Sequence, residues 1–126
     1  MSDAVQEVDA KSFDQIVASS AVPVIADFWA PWCGPCRAFG PIFEKTSAAN
    51  PEVTFAKVNT EDQPSLGAAF GIQAIPTLMA FRDGVLLYQQ AGALPGSALQ
   101  RLIDEVKALD MEKILTEAKA ENVHAA

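Results

Sequence analysis

The strongest constraint on this chain is a pair of cysteines three residues apart, placed where an apolar run gives way to a helical pattern. The apolar run covers residues 22–29 and suits a strand that is buried on both faces. The turn-rich segment that follows reads Trp32-Cys33-Gly34-Pro35-Cys36. Apolar residues then recur at helical spacing, at Phe39, Ile42 and Phe43. The sequence therefore predicts a strand, a tight turn and a helix that begins near Cys33.

The spacing of the two cysteines suits a dithiol that can close into a disulfide. Side chains at positions i and i+3 of a helix share a face, with Cβ atoms about 5–6 Å apart, and bridged cysteines have Cα atoms about 4.4–6.8 Å apart. The unpaired amide groups of a helix start favour a thiolate over a thiol. We expect Cys33 to be the exposed nucleophile and Cys36 to be the thiol that resolves a mixed disulfide.

Other uses of the cysteines fit the sequence less well. The chain has 2 Cys and 1 His, too few for a disulfide framework or a zinc site. The one histidine, His124, lies two residues from the end of the chain, so a Cys-His dyad is also disfavoured. Two inert buried cysteines would leave the coincidence of spacing, turn residues and helix start unexplained. A redox dithiol is the favoured interpretation.

The net negative charge of the chain limits the classes of partner that it can bind. Nine Lys and Arg against 16 Asp and Glu give a formal net charge of −7, which disfavours nucleic acid and anionic bilayers. The first residues lack the pattern of an export signal, and no apolar stretch approaches the roughly 20 residues that span a bilayer. At 126 residues the chain suits a single core. We expect a soluble, cytoplasmic monomer with no nucleic-acid or membrane partner.

The remaining patterns predict a mixed sheet covered by helices. Asp83-Gly84 between two apolar segments is a strong hairpin signal, and the strand-helix-strand order before it predicts parallel strands. The predicted strands cover residues 5–8, 22–29, 53–58, 77–82 and 85–90, and the predicted helices cover residues 12–18, 33–50, 63–70 and 99–109. Asp110 is placed to cap a further small helix over residues 111–120.

Asp27 is the one charged residue in the apolar run of residues 22–29. Burial disfavours an unpaired carboxylate and raises its pKa, which makes such a residue a candidate for acid–base chemistry. One interpretation is a general base for Cys36. The other is a carboxylate satisfied in the core by Lys57 on a neighbouring strand. The pattern alone leaves both open.

Taken together, these segments resemble the thioredoxin family. The resemblance is carried by Asp27-Phe28-Trp29-Ala30-Pro31-Trp32-Cys33-Gly34-Pro35-Cys36, Ala56-Lys57-Val58-Asn59, Gly71-Ile72, Ile75-Pro76-Thr77, Asp83-Gly84 and Gly92-Ala93. It implies an α/β thioredoxin fold, with a central mixed five-stranded sheet (four core strands plus an edge strand), helices on both faces and a C-terminal helical extension. The implied division is a thioredoxin domain over residues 1–109 and a helical extension or tail over residues 110–126.

The resemblance also implies an activity. This is the reduction of protein disulfides by exchange through Cys33 and Cys36, with no bound cofactor or metal and with electrons from NADPH through thioredoxin reductase. The implied targets include ribonucleotide reductase, peroxiredoxins and methionine sulfoxide reductases. Gly34-Pro35 between the cysteines resembles the reducing members rather than the oxidases or isomerases.

Roles for individual residues follow from the resemblance. Asp27 and Lys57 match the family's buried pair, with Asp27 catalytic and with Lys57 and Trp29 supporting it, and Ile75-Pro76 matches a cis-proline bond. The implied substrate surface consists of Trp32, Gly34, Pro35, Ala74, Ile75, Pro76, Gly92 and Ala93.

Two features depart from the family pattern. Thr60, Glu61 and Ala74 differ from the residues common at those places, which bears on target preference rather than on the dithiol. The segment over residues 110–126 extends past the usual end. Its simpler interpretation is a solvated helix, and the alternative is a binding or adaptor module whose extension docks a partner.

Overall fold

The computed structural model describes residues 4–117. The elements along this part of the chain are β1 (Val5–Glu7), α1 (Ala10–Ser19), β2 (Val24–Trp29), α2 (Gly34–Ala49), β3 (Thr54–Asn59), α3 (Pro64–Ala69), β4 (Thr77–Arg82), β5 (Val85–Ala91) and α4 (Gly96–Ala108). Residues 111–117 are helical as well. Every predicted element is present, with most bounds shifted by one to three residues. Residues 118–126 of the predicted extension lie outside the described residues.

The strands form one mixed sheet in the order β1-β3-β2-β4-β5. β1 and β2 each pair in parallel with β3, whereas β4 is antiparallel to both β2 and β5. β2 therefore lies at the centre, and its Asp27 has Lys57 as its register partner on one side and Leu78 on the other. The mixed five-stranded sheet predicted from the sequence is confirmed.

Two apolar clusters cover the two faces of the sheet. One contains Ile25 of β2 with Phe39 and Phe43 of α2 and residues of α4, and the other contains Phe28 of β2 with Phe13 of α1. Since side chains alternate along a strand, Asp27 lies on the same face as Ile25, the face that α2 and α4 cover. This alternation places a carboxyl group beneath the helix that begins after Cys33.

Local sequence chemistry explains where several elements begin and end. Asp83 and Gly84 have φ values of 53° and 79°, the left-handed conformations that a two-residue hairpin needs. α1 begins at Ala10 rather than at the predicted residue 12, because Asp9 accepts a hydrogen bond from the Ser12 backbone and the Ser12 side chain accepts one from the Asp9 backbone. That capping box satisfies amide groups that an uncapped helix leaves unpaired.

The end of α4 is held by a side chain from the sheet. Nη1 of Arg82, the last residue of β4, donates to the carbonyl oxygens of Val106, Lys107 and Leu109 at 3.0–3.1 Å. Asp110 then accepts from the Lys113 backbone at 3.2 Å, so the predicted helix cap is confirmed. None of the helices within residues 4–117 is long and apolar enough to cross a membrane.

Candidate active site

The two cysteines form a disulfide at the first turn of α2, and their Cα atoms are 5.2 Å apart. Cys33 is the N-cap residue of this helix, and its Sγ accepts a hydrogen bond from the Cys36 backbone at 3.2 Å. Pro35 stands within the first turn, where a missing N–H leaves no bond unmade. One sulfur atom therefore both caps the helix and forms half of the redox pair.

The two sulfur-bearing residues are nearly equal in exposure. The sequence predicts an exposed Cys33, but only 5% of this residue is accessible, against 3% of Cys36. The expectation is wrong for the disulfide form, because Ala30, Trp29 and Ile75 pack against the pair. The residues around the disulfide, which we call the rim, are exposed: Gly34 and Pro35 are open to solvent, and Trp32 is 65% exposed.

Two distant loops meet beside the disulfide. The Ile75-Pro76 bond is cis, as the family resemblance implies, and the Ile75 carbonyl oxygen lies 3.7 Å from Cys33 Sγ. The Gly92 backbone donates to the Pro76 carbonyl at 2.7 Å, with a φ of 109° at Gly92. The predicted substrate residues are thus gathered at one edge, although Pro76 itself is buried and Ala74, Gly92 and Ala93 are exposed.

A groove of about 440 Å³ opens next to this edge. It is lined by Trp32, Thr60, Pro64, Gly67, Ala68, Ile72, Gln73, Ala74 and Ile75. The wall supplied by α3 was not predicted. The sequence feature that could have indicated this wall is the run of small residues Gly67-Ala68-Ala69 on a short predicted helix. Small side chains there leave open space beside the loop that carries Ile75.

Thr60 and Ala74, two of the residues that depart from the family pattern, line this groove, and the third, Glu61, contacts its Trp32. The Thr60 hydroxyl donates to the Trp29 carbonyl oxygen at 3.1 Å, so the polar atom is satisfied by the backbone of the chain itself. Glu61 accepts a hydrogen bond from the Trp32 indole N–H at 2.5 Å. Thr60 therefore leaves the groove largely apolar, and Glu61 fixes the orientation of the exposed indole ring.

Asp27 is buried without a hydrogen-bond partner. It is 1% exposed, and neither carboxyl oxygen has a partner. Burial raises its pKa to about 7, and the positive charge of Lys57 opposes part of this rise. The interpretation of Asp27 as a carboxylate satisfied by Lys57 is wrong, because the described residues form no ion pair between them within 4 Å.

Lys57 instead lies against an aromatic ring. Its Nζ is 4.1 Å from the centroid of the Trp29 ring. Trp29 also contacts the cluster that contains both cysteines. Within residues 4–117 no group of three or more His, Cys, Asp or Glu side chains could hold a metal ion.

A dithiol that opens and closes at a helix start can exchange with other disulfides, so fold and site together define a thiol–disulfide oxidoreductase. Comparison with known proteins specifies the class further. The thioredoxin family model matches residues 4–105. The chain belongs to the thioredoxin family.

Individual relatives agree with this assignment. The chain is 49% identical over 108 residues to putative thioredoxin 2 of Streptomyces coelicolor, an alignment that covers 86% of this chain and 80% of that protein. It is 42% identical to thioredoxin 1 of Synechococcus elongatus, covering 75% of this chain and 89% of that protein. A mutant thioredoxin from Halobacterium salinarum superposes with a TM-score of 0.78 at 30% identity, covering 86% of this chain and 96% of that chain.

These likenesses confirm the thioredoxin fold predicted from the sequence. They also establish the activity: the protein is a disulfide reductase that acts through the Cys33–Cys36 pair. Its family membership implies disulfide-containing protein targets and a reductase partner.

Proposed function

We propose that this protein carries electrons from an NADPH-dependent thioredoxin reductase to disulfides of other proteins in the cytoplasm. The observation that carries the proposal is the position of Cys33 Sγ, which accepts the Cys36 amide N–H at the start of α2. This position stabilises negative charge on that sulfur once the disulfide is reduced. A cytoplasmic setting fits, because a reducing compartment keeps the dithiol supplied with electrons.

The first chemical step falls to Cys33. Its thiolate attacks one sulfur of a target disulfide, a new S–S bond forms between Cys33 and the target, and the other target sulfur leaves as a thiolate. The helix start and the Cys36 amide stabilise the negative charge on the Cys33 sulfur. Residues 4–117 contain no histidine that could serve instead. The target now has one thiolate and one sulfur bonded to Cys33, and Cys36 is still a thiol.

The second step releases the target. Cys36 loses its proton and attacks the Cys33 sulfur, which restores the Cys33–Cys36 disulfide and frees the second target thiol. A Cα separation of 5.2 Å in the closed form means that this closure needs little backbone movement. Asp27, with a pKa near 7, acts as the general base for Cys36, directly or through a water.

The substrate surface consists of the rim and the adjoining groove. Trp32, Gly34 and Pro35 surround the dithiol, and the backbone of Ile75 next to the buried Pro76 pairs with an extended target segment. Gly92 completes this surface. The targets that we propose are disulfides in proteins of the ribonucleotide reductase, peroxiredoxin and methionine sulfoxide reductase type.

An insulin-turbidity assay coupled to NADPH and thioredoxin reductase tests the cysteine roles. Cys33→Ser should abolish turnover, because no thiolate remains at the helix start. Cys36→Ser should still attack once and then accumulate a mixed disulfide, visible on a non-reducing gel. Turnover that survives in Cys33→Ser would sink the proposal.

A separate measurement tests the electron source. NADPH consumption should require both the reductase and a disulfide target. Reduction of the target should stop when glutathione replaces NADPH and the reductase. A strongly oxidising redox potential of the Cys33–Cys36 pair, measured by equilibration with glutathione and its disulfide, would identify an oxidase or isomerase instead.

A further inference from the structure

The Lys57 side chain lies near two residues of β2 on the same face of the sheet, Asp27 and Trp29. Its register partner on β2 is Asp27, and Trp29 follows two residues later on the same strand, so both side chains lie on the side that Lys57 shares. An ammonium group beside a buried carboxyl would be expected to pair with it. The structure shows the other arrangement, with the Lys57 Nζ over the Trp29 ring.

Trp29 contacts both the dithiol cluster and Lys57. One part of it packs against the cluster of Ala30, Cys33 and Cys36, and its ring face receives the Lys57 ammonium at 4.1 Å. An ammonium group this close to the face of a tryptophan is attracted by the negative charge density of the ring. The carboxyl oxygens of Asp27 meanwhile have no hydrogen-bond partner.

We propose that Trp29 is a positioning residue whose ring holds the Lys57 ammonium out of ion-pairing distance of Asp27, leaving this carboxyl free to take up and release a proton. The inference rests on the proposed role of Asp27 as the base for Cys36. A direct ion pair would hold Asp27 ionised and poorly able to accept a proton at neutral pH. Without any lysine nearby, the carboxyl would hold its proton more tightly.

Other charged groups near Lys57 do not account for its position. Glu7 is its register partner on β1, and Asp9 and Asp62 line the same cleft of about 260 Å³ as Lys57. Within residues 4–117 none of the three forms an ion pair with Lys57. On β4 the residue opposite Asp27 is the uncharged Leu78. Cys33 and Cys36 titrate only after reduction, so the disulfide form isolates the effect of Lys57.

The test is the titration of the Asp27 carboxyl in the oxidised full chain, followed by carbon NMR of protein labelled at aspartate. The Asp27→Asn variant identifies the resonance. Replacing the ring by Trp29→Leu should release Lys57 toward Asp27 and lower the titration midpoint by about one pH unit or more. A midpoint that rises or does not move would overturn the proposal.

A double-mutant cycle separates positioning from packing. In a Lys57→Met background, Trp29→Leu should leave the Asp27 midpoint unchanged, because no ammonium remains to be released. An equal shift in both backgrounds would mean that the ring acts through burial alone, which contradicts the proposal. Trp32→Leu is the matched control, since this second tryptophan makes its hydrogen bond to Glu61 and should not move the midpoint.

Two further measurements keep the outcome interpretable. If near-UV circular dichroism shows that Trp29→Leu does not fold, the cycle is run with Trp29→Phe, whose smaller shift must also vanish without Lys57. The rate of mixed-disulfide resolution in Asp27→Asn tests the base itself. An unchanged rate would refute the role of Asp27 in the proposed function, even if the cycle shows that Trp29 controls the position of Lys57.

Discussion

At the scale of single residues, Asp27 combines deep burial with the absence of any hydrogen-bond partner. Its ionised form is unfavourable in the folded protein, because the surrounding groups replace water without replacing its hydrogen bonds. The sequence pattern predicts a buried carboxyl at Asp27 but does not show whether Lys57 forms an ion pair with it. That question depends on a side-chain rotamer, and strand register leaves both Asp27 and Trp29 within reach of Lys57.

The stability of the protein should reflect this carboxyl. The pKa of Asp27 is raised from 3.8 to about 7 in the folded protein, so between these values the folded state binds more protons than the unfolded state. The free energy of unfolding should therefore fall as pH rises from about 4 through 7. Relative to Asp27→Asn, the oxidised wild type should lose on the order of 4 kcal/mol between pH 4 and pH 9.

Urea unfolding of both oxidised proteins across this pH range measures the difference. The disulfide form is used because its sulfur atoms do not titrate. A difference between wild type and variant that is the same at pH 4 and pH 9 would show that Asp27 does not resist ionisation.

At the scale of elements, local signals predicted the hairpin best. β4 ends at Arg82 and β5 begins at Val85, as predicted, because Asp83 and Gly84 adopt a conformation that few other residue pairs favour. The start of α1 was missed although its signal is local: Asp9 and Ser12 have the spacing of a capping box. The groove wall on α3 was missed for a different reason, since it exists only where α3 meets the loop before β4.

Arg82 links two elements that are distant along the chain, and no sequence pattern indicates this contact. One guanidinium nitrogen satisfies three carbonyl groups at the end of α4, where the helix has no internal donors left. Arg82→Met keeps the apolar part of the side chain but removes the donor. We expect it to lower the free energy of unfolding by about 1–3 kcal/mol while leaving insulin reduction unchanged.

The comparison for this substitution is Arg101→Met, at an exposed position of α4. Urea unfolding should detect a change within about 0.5 kcal/mol for Arg101→Met. Equal effects of the two substitutions would indicate that the three carbonyl contacts contribute nothing beyond general surface charge.

At the scale of the whole molecule, the helix after α4 adds to the packed domain. The family match ends at residue 105, yet Met111 is only 7% exposed and Asp110 caps the segment that follows. The division at residue 109 proposed from the sequence stays a prediction. Sequence periodicity could not settle it, because a single buried methionine gives no helical pattern.

Two truncations test whether this segment stabilises the domain. Removing residues 110–126 should lower the free energy of unfolding by about 1–3 kcal/mol more than removing residues 118–126 alone, because Met111 no longer covers apolar surface. Both truncated proteins should reduce insulin at the rate of the full chain. Unchanged reductase activity together with the loss of a partner in a pull-down would favour the adaptor interpretation.

The contact between Arg82 and Leu109 also fixes where α4 ends. β4 begins beside Pro76 at the dithiol edge and carries Arg82 at its other end, a distance of roughly 20 Å for a strand of this length. Residues 110–117, which follow α4, therefore begin on the side remote from the reactive sulfur atoms. A fluorophore, an affinity handle or a solid support attached through that segment would leave the dithiol facing outward, ready to capture its targets.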